Sequence, residues 1–320
     1  MRSLLCLLAA AAAACYSTSR CVGPADRALM RRARCAPAAC TAAAKGALVR
    51  AVQRVVDPES AARFYEQALG LSVLESGAGT DGRARTLIGT GAGPTACCIE
   101  LVAAAEGGVG YEPGGGYGGV SLRVASLDET IAAVEAAGGR VVRPPADAEY
   151  GAARVPDEDA ETTTTVVSEA AIEDPGGYPL RLFEGEGPTA ITAVRVSVHW
   201  WKRAEEWCVP PRPAALCAAP AGRWRPPRRY ASELGWKTLR WQSNLPRDAS
   251  IVVSVGPADV ADGSVGPCGT TAADEPRAAL QLQYKYASRA VKHPGGLEAL
   301  VVAGGGEPMR DADEYALEFV

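Results

Sequence analysis

The chain has 320 residues, with 33 Lys/Arg against 37 Asp/Glu, a net charge of −4, 48% hydrophobic and 22% charged residues. That length and balance describe a globular protein with room for two ordinary domains. The charge is uneven: residues 1–48 carry seven Lys/Arg against Asp26 alone, about +6, which leaves about −10 on the remainder and no clustered basic surface for a nucleic acid.

Arg2 precedes an apolar run over 4–14 that fits a signal-peptide core and is too short to span a bilayer. Residues 16–45 are rich in Arg, Ala and Ser/Thr and poor in acids. Residues 1–47 therefore read as a targeting leader, its two parts matching plastid import, with secretion and a mitochondrial presequence as alternatives. No other segment could span a membrane. Five of the ten Cys lie in the first 40 residues, and no CxxC spacing points to structural zinc or a disulfide framework.

Residues 48–56 are Val-rich and read as a strand. The stretch DPESAARFYEQALGL, 57–71, follows. Asp57 caps a helix and Pro58 suits its first position; Ala61, Phe64, Tyr65, Ala68 and Leu69 recur at helical spacing, and Gly70 stops it. Strands are predicted at 71–74, 83–90 and 96–102. The Gly-rich segment 107–119 lacks the strand-to-helix context of a phosphate loop and reads as a linker or a loop on the substrate side. A strand at 120–124 leads to a helix in which Ser126 and Glu129 have capping-box spacing and Ile131, Val134 and Ala137 form the apolar face. An acidic loop is expected over 146–161. Strands at 162–172 and 180–183 then flank the Asp174-Pro175-Gly176-Gly177 turn.

An imperfect copy of this pattern follows. Residues 193–198 read as a strand and 202–207 as helical. With 208–229 set aside, Trp207 meets Tyr230 and WYASELGW lies over FYEQALGL of 64–71. The stretch set aside holds six Pro, five Arg and no acid, and breaks a helix where its repeat is continuous. It reads as a retained intron, since Trp207 to Val209 permits a splice donor and Arg229 an acceptor; the alternative is a surface loop, and transcript sequencing separates the two. Strands are expected at 250–255 and 278–283, around a long Gly/Ala loop, and again at 295–302. DADEYALEFV, 311–320, matches EDPGGYPLRLF of the first copy, but the helix and two strands between these last elements are missing. The fold class is α+β in two modules, 48–187 and 188–320, the second incomplete.

VVDPESAARFYEQALGL, CCIELV, the Gly-rich loop and AAIEDPGGYPLRLFEGEGPT, in this order, resemble glyoxalase I of the vicinal-oxygen-chelate superfamily, most of all its tandem, double-length form. The resemblance implies paired βαβββ modules whose cup-shaped sheets hold a divalent metal, Zn or Ni. It implies isomerisation of the hemithioacetal of methylglyoxal and glutathione to lactoylglutathione, with glutathione as co-substrate and a pseudo-dimeric monomer as the assembly. Such chemistry needs a metal to hold two vicinal oxygens and a carboxylate to move a proton between adjacent carbons.

The family's ligand positions fall on Arg50, Glu100, Gly119 and Arg181 in the first module and on Ala193, Gln281, Glu298 and Glu318 in the second. Each family site joins the first two positions of one module to the last two of the other. One crossed site then offers Glu100, Glu298 and Glu318 as metal ligands, Glu318 also as the proton-shuttling base, with Arg50 beside the substrate in place of His or Gln. The other holds Ala193, Gln281, Gly119 and Arg181 and cannot bind a metal. Three oxygens without an imidazole match zinc poorly, and Arg50 could pair the carboxylates and exclude the cation. The chain would then be a degenerate binder of small molecules. A dioxygenase of the superfamily would want two His and one carboxylate. Of the two histidines, His199 reads as a group at a helix start, and His293, in a loop five residues before Glu298, could substitute as a ligand. Cys97 and Cys98 read as strand core.

Overall fold

The computed structural model describes residues 46–91, 96–105, 108, 116–150, 165–198, 234–243, 250–261, 265–270, 277–285, 296–304, 307–310 and 315–320. The leader up to residue 45, most of the Gly-rich segment, the helical reading of 202–207, the stretch 208–229, His199 and His293 lie outside the described residues. Gly46 and Ala47, counted with the leader by composition, are held in the fold: the Gly46 N–H donates to the Ala303 carbonyl at 2.6 Å and Ala47 is buried. Among the described residues no helix is long and apolar enough to cross a membrane.

The first module begins β1 (Leu48–Val55), α1 (Pro58–Leu69), β2 (Ser72–Ala78), β3 (Ala84–Gly89) and β4 (Cys98–Ala103). The caps of α1 are those its sequence specifies. The Asp57 carboxylate accepts the Glu59 N–H at 3.1 Å, and Gly70 closes the helix at φ 66°. That left-handed conformation costs glycine little and other residues about 1 kcal/mol. The module continues β5 (Tyr117–Val124), α2 (Leu127–Ala136), β6 (Arg140–Tyr150), β7 (Thr165–Glu173) and β8 (Pro179–Glu184). Ser126 caps α2, its hydroxyl accepting the Glu129 N–H at 3.4 Å.

β6 corrects the expected acidic loop, because it runs on through 146–150. Asp147 and Glu149 face solvent while Ala148 and Tyr150 between and after them are buried, a period of two that the acid count conceals.

The second module supplies β9 (Ala190–Ser197), β10 (Trp236–Ser243), β11 (Ser250–Pro257), the short hairpin strands β12 (Val265–Gly266) and β13 (Gly269–Thr270), β14 (Ala279–Lys285), β15 (Leu297–Val302), β16 (Met309–Arg310) and β17 (Ala316–Phe319). Gly235, ahead of β10, has φ 68° and stands where Gly70 stands ahead of β2. The β12–β13 hairpin lies in the Gly/Ala stretch that reads as unstructured. Among the described residues β15, β16 and β17 have no counterpart of α2 or β6 beside them.

The strands form two large sheets that exchange halves. One has the order β16-β17-β15-β1-β4-β3-β2 and the other β10-β11-β14-β9-β5-β8-β7-β6. The opening half of each module thus pairs with the closing half of the other, through antiparallel β1–β15 and β5–β9. The same parallel pairing recurs inside both openings, β1 with β4 and β9 with β14. A single apolar cluster joins one face of each sheet to α1 and α2, from Ala51, Ile99 and Leu101 across Phe64 and Tyr65 to Leu122, Val194 and Leu280. The opposite face of each sheet is the cup.

Candidate active site

Each crossed set of four positions falls on one sheet. In the first cup Arg50 stands on β1, Glu100 on β4, Glu298 on β15 and Glu318 on β17. Arg50 is in register with Val301, which is in register with Glu318; Glu100 lies opposite Val52. Glu318 is half-buried, two strands from Arg50 in the same row.

The carboxylates of Glu100 and Glu298 are fully engaged. Arg50 donates to Glu100 Oε2 at 2.7 Å and Arg85 to its Oε1 at 2.7 Å. Arg85 also donates to Asp81 Oδ2 at 3.0 Å, which Arg83 Nε reaches at 2.8 Å. The two terminal nitrogens of Arg83 then grip both oxygens of Glu298, at 2.7 and 2.9 Å. The result is one ladder of alternating sign: Arg50, Glu100, Arg85, Asp81, Arg83, Glu298. Burial works to raise the Asp81 carboxyl, but hydrogen bonds from Arg83 and Arg85 outweigh it and hold the group down to about 2. The bidentate Glu298 bond raises the Arg83 guanidinium in turn.

This arrangement does not fit a divalent metal. A cation entering would have to take oxygens from arginines that are themselves largely buried, leaving those charges unpaired. Among the described residues no three of His, Cys, Asp or Glu come together as a metal requires. Asp81, Arg83 and Arg85 stand outside the family's ligand positions. Their spacing says only that Arg83 and Arg85, two apart where a strand is predicted from residue 83, share a side, and not what they reach.

The second cup has another character. Ala193 is buried and brings no donor, and Gly119, at φ 93°, lies so close to the Pro179 carbonyl that a Cβ would fall 1.8 Å from it. Arg181 donates to the Tyr150 hydroxyl at 2.7 Å and to Glu169 at 2.8 Å. The fully buried Glu169 also accepts from Arg143 at 2.5 Å and from the Tyr150 hydroxyl. Gln281 Oε1 accepts from two nitrogens of Arg195, at 3.1 and 2.6 Å. Burial, reinforced by the charge of Arg181, lowers Arg195 to about 9. Arg240, Ser254, Gln281 and Arg195 form one register row across β10, β11, β14 and β9.

Residues 47–182 match the Glyoxalase/Bleomycin resistance protein/Dioxygenase superfamily. A protein of Vibrio cholerae named probable lactoylglutathione lyase is 26% identical over 140 residues, 43% of this chain and 91% of that protein. One of Synechocystis sp. with the same name is 29% identical over 138 residues, 43% of this chain and 94% of its own length. In three dimensions the chain is similar to glyoxalase I from Zea mays, with a TM-score of 0.60 at 16% identity, covering 86% of this chain and 92% of that one.

Proposed function

Residues 47–182 being a domain of the glyoxalase, bleomycin resistance protein and dioxygenase superfamily, we propose that this chain is a small-molecule-binding member of the superfamily whose first cup is closed to metal by its own arginines. One observation carries the reading: both oxygens of Glu100 and both oxygens of Glu298 accept hydrogen bonds from Arg50, Arg85 and Arg83. The carboxylates that a lyase would turn to its metal are here paired with guanidinium groups, Arg50 standing at one of the four positions itself and Arg85 and Arg83 reaching in from outside them.

A second reading is favoured by the names of the two bacterial relatives, namely conversion of the methylglyoxal–glutathione hemithioacetal to lactoylglutathione with a divalent metal and Glu318 as base. The two readings separate in one experiment. Purified protein is supplied with Zn²⁺, Ni²⁺ or Co²⁺ and assayed for bound metal and for lactoylglutathione. The binder reading expects less than one tightly held metal per chain and no product. One metal per chain with turnover abolished by Glu318→Gln would overturn it and establish the lyase. We further propose that residues 1–47 direct plastid import, which a fluorescent fusion to that segment tests by where it accumulates.

A further inference from the structure

The charge ladder of the first cup has a dry end and a wet end. The side chains of Arg50 and Glu100 are each 9% exposed, whereas those of Arg83 and Glu298 are 22% and 24% exposed. The inner pair cannot part without leaving buried charges bare. The outer pair is screened by salt and separates easily, since water already meets both partners.

That outer pair spans the cup. In the sheet β3 and β15 are separated by β4 and β1, three strand spacings or about 14 Å. Arg83, one residue ahead of β3, nonetheless holds both oxygens of Glu298 on β15, and it also donates to the Ala103 carbonyl at the end of β4 at 3.3 Å. The bond therefore passes over the strands between. On the same face Val52, Val102, Ala299 and Val301 form an apolar cluster, each at most 6% exposed. A cup standing open would leave that floor wet.

The piece of chain that carries Arg83 is lightly fastened. Pairing of β3 with β4 begins at Arg85, opposite Val102, so residues 79–84 project beyond it. This tip closes on itself: the Gly79 N–H donates to the Arg83 carbonyl at 2.8 Å and the Gly82 N–H to the Gly79 carbonyl at 2.9 Å. β2, which it joins to β3, is exposed along its whole length. The Arg83 side chain ties the tip to β4 and β15.

We propose that residues 79–84 are a gate on the first cup, latched across its mouth by Arg83 and Glu298 and opened when that pair parts. Arg50, Glu100 and Arg85 stand on strands inside the paired sheet and stay together as the tip moves, so opening wets the floor without dismantling the buried end of the ladder. That the gate admits a small molecule rests on the function proposed above, which the metal assay tests separately; the opening itself does not.

The test uses the full chain carrying Val102→Cys, a near-isosteric change in the floor, with Val52→Cys as a second position. The rate at which iodoacetamide labels the new thiol is followed by peptide mass. Native Cys97, buried in the core between the sheets just ahead of β4, reports global unfolding. Adding Glu298→Gln should speed floor labelling about tenfold, as loss of a bidentate charged pair predicts, and leave Cys97 unchanged. Concentrated sodium chloride should do the same in the parent and add little to Glu298→Gln. Glu59→Gln, which removes an exposed ion pair with Arg63 on α1, should alter neither rate. Floor labelling that ignores both Glu298→Gln and salt, or that rises only in step with Cys97, would overturn the proposal.

Discussion

At the scale of single residues, the charge ladder of the first cup makes its members unequal. Glu100 is shared by two arginines, so Glu100→Gln leaves the buried Arg50 short of a counter-charge and Arg85 with Asp81 alone, and should cost about 3 kcal/mol in urea denaturation. Arg50→Gln should cost less, because Arg85 still holds the carboxylate; equal losses would show that the ladder does not act as drawn. A second titratable group lies between the sheets. Burial raises Asp174 to about 6, against hydrogen bonds from the Tyr178 N–H and the Tyr65 hydroxyl. The unfolded carboxyl titrates near 4, so the native state keeps its proton longer. This group's contribution is therefore largest below about pH 4 and is lost as pH rises through about 6. Asp174→Asn should flatten that part of the Tm–pH profile, and an unchanged profile would count against the assignment. Glu100 was legible in the sequence through its strand motif. Asp81, Arg83 and Arg85 were not, because nothing in a hairpin sequence says that its arginines will reach Glu298, some 215 positions away.

At the scale of elements, the duplicated helix stop is the clearest case of sequence specifying conformation. Gly70 and Gly235 share a left-handed φ, and Gly235 has open space where a Cβ would go. Gly235→Ala should therefore cost only the conformational strain, about 1 kcal/mol, with Gly70→Ala costing the same. Gly269→Ala should cost distinctly more, since its Cβ also meets the Thr192 carbonyl. Guanidinium denaturation of the three variants orders them. Strongly periodic pieces such as α1, β1 and β4 could be read from pattern alone. Two kinds of element could not. β6 hides its alternation behind outward-facing acids, and β12 and β13 are too short for any period, held by contacts to β9 and β14 instead of by local preference.

At the scale of the whole molecule, the crossing of halves was legible through the resemblance: the positions that each sheet gathers are those that the crossed sets name. What filled them was not, because an alignment shows that Arg50 replaces a ligand without showing that Arg85 and Arg83 finish the replacement. Since each large sheet needs both modules, the described body should unfold in one calorimetric transition; two separated peaks, one per module, would contradict the exchanged pairing. The same pairing bears on how the chain is made. β1 emerges early from the ribosome, yet the strand that pairs with it on one side, β15, is about 250 residues further on, Leu48 lying opposite Val302. Until then a buried-type strand edge stands open, a template for pairing with other nascent chains. The protein must therefore be shielded co-translationally for most of its synthesis, and a product broken off before β15 would be a seed for aggregation and not a working half.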